Sequence, residues 1–157
     1  MRYFMIDRIT ELKVGESAVA VKNVTLSEDI LQDHFPDYPV FPGALIIEAM
    51  AQLSGFLLEM TMNKPGKVRR ALLGQVDRAK FHNMAEPGDQ LIITVRIDHQ
   101  MEDAAQVKCS AAVSGEKVSS ALLTFVMKHL DSERIHRQRR YFYNIWTRKL
   151  DNLPEIL

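Results

Sequence analysis

Hydrophobic and polar residues alternate along most of this chain, and one stretch departs from alternation to become apolar on nearly every side. Ser17–Val24 alternates like a half-buried strand, and Leu91–Asp98 sets Ile93, Val95 and Ile97 on one face against Ile92, Thr94 and Arg96 on the other. Gln106–Val113 and Val118–Lys128 read as two further strands joined by a hairpin at Ser114-Gly115-Glu116-Lys117. Arg70–Val76 and Arg78–Phe81 form an extended run with a bend at Gly74, and Asn63-Lys64-Pro65-Gly66 and Glu86-Pro87-Gly88-Asp89 are breaks. Ser27-Glu28-Asp29 opens a short helical turn that ends near Gln32.

The exception begins at Pro42, which suits a first helical position because its missing N–H has no intrahelical partner there. From it to about Met60 the pattern predicts a helix of about 19 residues, roughly 28 Å long. Leu45, Ile46, Ile47, Ala49, Met50, Ala51, Leu53, Phe56, Leu57 and Leu58 leave it almost no polar face, so protein or lipid must surround it. Glu48, Gln52 and Glu59 interrupt the run and argue against a membrane span, where a carboxylate is costly. One apolar helix followed by long antiparallel strands predicts an α+β domain, a curved sheet around a central helix.

Composition narrows the class. The 157 residues, 46% hydrophobic, suit one globular domain, and a net charge of zero gives no steering toward nucleic acid. The single Cys109 lies in a strand-like stretch and reads as a small buried hydrophobe. Met1–Met5 has no basic start and apolar core of a secretory signal, so the expected compartment is the cytoplasm. His82, His99, His129 and His136 lack metal-ligand spacing, and no metal or organic cofactor is called for.

The chain divides at about residue 130, into a main domain 1–130 and an extension 131–157. The last 27 residues carry six basic and four acidic side chains, and the stretch from Arg134 to Lys149 has no acidic one. A terminal amphipathic helix is expected, with Phe142, Ile145, Trp146 and Leu150 as its apolar stripe. That stripe either docks on its own domain or a dimer partner, or serves as an interaction surface.

Candidate chemistry centres on the residues from His34 to Glu48. Pro36, Pro39 and Pro42 keep His34 on a stiff loop just before the helix. Glu48 sits on the second helical turn among apolar neighbours, where burial favours its protonated form. A neutral histidine accepts a proton and such a carboxyl gives one, a complementary base and acid. Gly43, at the helix start, offers an N–H with no intrahelical partner and no side chain to block an approaching oxygen. Tyr38 and Phe41 flank the site, either packing or gating it. These parts suit loss of water from a β-hydroxy thioester: His34 removes the α proton, the Gly43 N–H steadies the carbonyl oxygen, and Glu48 protonates the departing hydroxyl.

His34-Phe35-Pro36, Pro39, Pro42-Gly43 and Leu45-Ile46-Ile47-Glu48-Ala49-Met50-Ala51-Gln52, with 14 positions from His34 to Glu48, resemble the active-site signature of the β-hydroxyacyl-acyl-carrier-protein dehydratases of type II fatty acid synthesis. The resemblance runs from about Tyr3 to Val126 through Asp7-Arg8, Val21-Lys22-Asn23-Val24-Thr25, Ala79-Lys80-Phe81 and Pro87-Gly88-Asp89-Gln90-Leu91. It implies a hotdog fold and a homodimer whose sites combine His34 of one chain with Glu48 of the other; assemblies of three dimers also occur in that family. It implies a 3-hydroxyacyl group on acyl carrier protein as substrate and the trans-2-enoyl thioester as product. Relatives that also isomerise the double bond carry Asp where this chain has Glu48, which favours simple dehydration.

Three departures stand out: Asp37-Tyr38 in place of the family's usual Gly-His, a nearly absent N-terminal helical segment, and the basic tail. They point to a specialised relative serving a dedicated lipid or secondary-metabolite pathway. Because acyl carriers are acidic, Arg134, Arg137, Arg139 and Arg140 are candidates for carrier docking. Two other readings remain: a hotdog thioesterase, and a non-catalytic partner or carrier-binding subunit.

Overall fold

A computed structural model describes residues 3–157. Six antiparallel strands, β1 (Arg8–Lys13), β2 (Ser17–Asn23), β3 (Arg70–Phe81), β4 (Gln90–Gln100), β5 (Ala104–Val113) and β6 (Glu116–Lys128), form one sheet in the order β1-β2-β4-β5-β6-β3. Helix α1 (Gly43–Met62) lies against the sheet, touching β2 through β6. Period-two patterning explains the packing: Leu91, Ile93 and Val95 of β4 and Val107, Cys109 and Ala111 of β5 meet Leu53, Phe56 and Leu57 of α1 in one core. Among the described residues α1 alone has the length and hydropathy of a membrane span, and most of it is buried inside the domain.

The helix starts one residue later than its sequence indicates. Pro42 has an extended ψ of 131° and is the N-cap, its carbonyl accepting from Leu45 and Ile46, so Gly43 is the first helical residue. At the other end α1 runs on to Met62. The bend expected at Gly74 is a register shift between Leu73 and Gln75. A second shift, between Asp77 and Lys80, coincides with a positive φ of 49° at Arg78. Strand β3 is an edge of the sheet, and it leaves Leu72, Leu73, Val76 and Phe81 exposed.

Helix α2 (Glu133–Thr147) begins at Ser132, whose hydroxyl accepts from the Ile135 N–H. It packs on its own domain. Tyr143 and Trp146 are buried, Tyr143 meets Phe56 edge-on at 4.9 Å, and Phe142 stacks on Phe4 at 3.6 Å. The inward stripe is rotated from the expected one, with Tyr143 inside and Ile145 exposed, because the face that meets α1 runs through Arg139, Phe142, Tyr143 and Trp146.

A buried ion pair ties this helix to the core. Arg70 Nη1 donates to Glu59 Oε2 at 2.7 Å, with the two side chains 1% and 2% exposed, and the Ala71 N–H donates to Glu59 Oε1 at 3.0 Å. Arg70 Nε donates at 3.0 Å to His136 Nδ1, whose ring is 2.8 Å through Nε2 from the Leu130 carbonyl. A carbonyl only accepts, so His136 carries its proton on Nε2 and receives the arginine on Nδ1.

Candidate active site

The loop before α1 is cross-braced by short bonds that follow from its proline-rich sequence. His34 and Val40 bond across it, Val40 N–H to His34 carbonyl at 2.8 Å, and Phe35 and Tyr38 exchange two bonds of 3.0 Å. His34, half-buried, stacks on Phe35 with ring centres 4.2 Å apart, across a cis peptide bond. Its Nδ1 lies 2.8 Å from the Val40 carbonyl oxygen. That oxygen accepts only, so Nδ1 carries a proton, and of the two neutral tautomers the bond selects the one with its lone pair on Nε2.

Gly43 sits at the positive end of α1, and a Cβ placed on it would lie 2.6 Å from Cε1 of Phe81. No other residue type fits there without moving that ring. Phe41 is 1% exposed and packs in the core with Lys22 Nζ 5.5 Å above its ring, while Lys22 bonds Glu28 at 2.8 Å. Tyr38 is 54% exposed and donates to Glu86 Oε1 at 3.2 Å, a bond that raises its pKa above the ordinary value. So Phe41 supports the loop from below and Tyr38 stands on its outer face.

Glu48, Ala51, Gln52 and Gly55 follow each other at helical spacing on one stripe of α1 and line a cavity of about 500 Å³. Glu48 is half-buried, and Gln52 Nε2 donates to its Oε1 at 2.8 Å. Gln52 is itself fixed: Nε2 also donates to the Tyr3 carbonyl at 2.9 Å, and Oε1 accepts from the Met5 N–H at 2.9 Å. The opposite wall is α2. His34 does not line this cavity and makes no hydrogen bond or ion pair with Glu48, so one chain keeps the two residues apart.

The four arginines that are candidates for carrier docking have different settings. Arg134 and Arg137 are exposed, and Arg140 pairs with Glu133 at 3.0 Å. Arg139 turns into the cavity; burial pulls its pKa down, but Tyr143, Glu59 and Glu48 outweigh this and leave it raised. The Tyr143 hydroxyl is fully buried with no hydrogen-bond partner among the described residues, and burial, with Glu59 nearby, pushes its pKa well up. Neither the bond between Gln52 and Glu48 nor the inward turn of Arg139 was anticipated from sequence, although the four-residue step from Glu48 to Gln52 is a signal for the first.

Residues 1–122 match the model of the FabA-like domain family. The chain belongs to that family. Among its FabA-like relatives, a 3-hydroxyacyl-[acyl-carrier-protein] dehydratase FabZ of Lactobacillus helveticus is 43% identical, over 78% of this chain and 81% of the relative. The protein of the same name from Caldanaerobacter subterraneus is 41% identical, over 80% and 87%. Fold likeness reaches further. A Streptococcus mutans protein solved with acetyl CoA shares the fold at a TM-score of 0.64 and 17% identity, over 84% of this chain and 96% of that one. The dehydratase heterocomplex ApeI:P of Xenorhabdus doucetiae does so at 0.63 and 14%, over 87% and 90%. The sheet around α1 is thus a hotdog fold, and α2 lies beyond the residues that the FabA-like model matches.

Proposed function

We propose that this protein dehydrates 3-hydroxyacyl groups carried on acyl carrier protein to trans-2-enoyl thioesters, as a lyase of fatty acid or related lipid synthesis. The names and 41–43% identity of its dehydratase relatives support the reaction. The bond from His34 Nδ1 to Val40 carries the assignment of roles, because it holds a proton on Nδ1 and leaves Nε2 as the ring's proton acceptor.

In the reaction, His34 Nε2 takes a proton from C2 of the substrate. Charge builds on the thioester oxygen, which the Gly43 N–H at the helix start stabilises. Glu48 then gives its proton to the C3 hydroxyl, the C3–O bond breaks, water leaves and the C2=C3 double bond forms. His34 returns its proton and Glu48 regains one through solvent.

The site combines His34 of one protomer with Glu48 of a second. The separation of the two within one chain supports this, as does the exposed apolar edge of β3, a surface suited to strand pairing. Arg134 and Arg137 remain free to meet an acidic carrier. A cytoplasmic enzyme fits this reading.

The test is absorbance of the enoyl thioester formed from a 3-hydroxyacyl carrier, with His34→Ala and Glu48→Gln beside wild type. Each variant is expected to lose at least about 100-fold in turnover. A folded wild-type protein inert on short and long acyl carriers would overturn the proposal, and free carrier thiol without enoyl product would replace it with thioester hydrolysis.

A further inference from the structure

The cavity at Glu48 has an unusual second wall. On one side stand Glu48, Ala51, Gln52 and Gly55, and on the other the inward face of α2, from Ile135 through Arg139 and Phe142 to Trp146. The first wall belongs to residues matched by the family model, and the second lies past residue 122. Its volume, about 500 Å³, is that of a small-molecule site, and it is mainly apolar with a few polar groups, the balance by which such sites hold a hydrocarbon and orient its reactive end.

Helix α2 is not loosely laid over this space. The Arg70 guanidinium bonds His136 and Glu59, Tyr143 is clamped edge-on to Phe56, and Phe142 is stacked on Phe4. Phe4 lies between Tyr3 and Met5, whose backbone groups hold the amide of Gln52, so the same helix braces the strap that fixes the partner of Glu48. A wall pinned at three points has a fixed distance from α1 and limits what fits between.

Resting on the dehydratase reading, we infer that α2 forms the far wall of the acyl site and determines which acyl chains the enzyme accepts. The hydrocarbon of a substrate whose 3-hydroxyl reaches Glu48 extends between α1 and α2, and Ile135 sets the width of that slot from the α2 side. Gly55 sets it from the other: a Cβ there would meet only the Ala71 Cβ, at 3.8 Å, so the missing side chain leaves open space.

Two measurements test this. Trp146 is the only tryptophan of the chain and lines the cavity, so its emission reports occupancy directly. Decanoyl-pantetheine, which has no 3-hydroxyl and cannot be dehydrated, should change that emission on binding, and Ile135→Phe should weaken its affinity about tenfold, the scale of a clash in an apolar pocket. In turnover, Ile135→Phe should lower the ratio of kcat/KM for 3-hydroxydecanoyl over 3-hydroxybutyryl carrier about tenfold, and Ile135→Ala should raise it. Circular dichroism shows whether each variant is folded. If dehydration proceeds but neither variant alters the ratio and the emission is unmoved, the wall assignment falls and the dehydratase reading stands. If decanoyl-pantetheine moves the emission but no 3-hydroxyacyl carrier is turned over, the reverse holds.

Discussion

Gln52 holds Glu48 through a 2.8 Å hydrogen bond from its amide Nε2, and the same amide is gripped by the backbone of Tyr3 and Met5. A carboxylate on a helix can swing through several rotamers, and this contact selects one. Gln52 is thus a positioning residue. Gln52→Leu should lower kcat about tenfold, the worth of one hydrogen bond, with little change in KM. Expressing kcat per folded enzyme, with the folded fraction taken from circular dichroism, separates this from general destabilisation, which lowers apparent kcat at unchanged KM only by reducing the amount of active enzyme.

The pair Glu59 and Arg70 makes a different demand. Removing one partner leaves the other charge buried and alone, and Arg70→Met should cost about 3–5 kcal/mol in urea unfolding. Glu59→Leu combined with Arg70→Met should cost less than the sum of the two single changes. Strict additivity would show that the pair is not coupled in solution.

Crowding at Gly43 is specific to one ring. Gly43→Ala drives a methyl group to within 2.6 Å of Phe81, so the ring or the helix start must move. A shift of an ångström at a reacting centre costs about 100-fold in rate, and turnover should fall on that scale. Phe81→Ala added to Gly43→Ala clears the space, and partial recovery of the melting temperature would identify the clash as the cause of lost stability.

Arg134 and Arg137 are the exposed members of the four candidate docking arginines, and reversing both to Glu should raise KM for carrier-bound substrate several-fold and flatten its salt dependence. The same variant should treat a pantetheine thioester as wild type does. Equal KM changes for both substrates would remove carrier docking from these two side chains.

Cys109 gives a pH dependence whose sign follows from its setting. Burial pushes its thiol from 9.0 up to about 12, against a weaker opposing bond from Ser54. The folded state therefore keeps a proton that the unfolded chain releases. Stability from this group is complete below pH 9.0 and is lost as pH rises toward 12. Urea unfolding midpoints should fall over that interval, and Cys109→Ala should remove this part of the slope. In the native state iodoacetamide should leave Cys109 unmodified at pH 8 and label it once urea has unfolded the chain.

Much of this molecule was legible in its sequence because its elements have clean periods. Alternation placed Ile93 and Val95 inward, and the apolar run of α1, interrupted by Glu48, Gln52 and Glu59, pointed to a core helix. The loop from His34 to Pro42 was legible through its prolines. What escaped depended on how separate elements meet. The rotation of α2 about its axis, which turns Arg139 and Tyr143 inward and Ile145 outward, is set by Arg70, Phe4 and Phe56, residues distant in sequence. The start of α1 was misplaced by one because Pro42 has a φ suited to a helix but an extended ψ.

The position of α2 along the chain has an evolutionary consequence. Catalytic loops are hard to alter, since each residue there answers to several constraints at once. Here a contiguous terminal segment, encoded after the shared fold, faces the same cavity as Glu48. Mutation, recombination or exchange of that segment can remodel one side of the cavity while the proline loop and α1 stay untouched. Novelty in such a lineage can thus enter through its tail, at low risk to the chemistry.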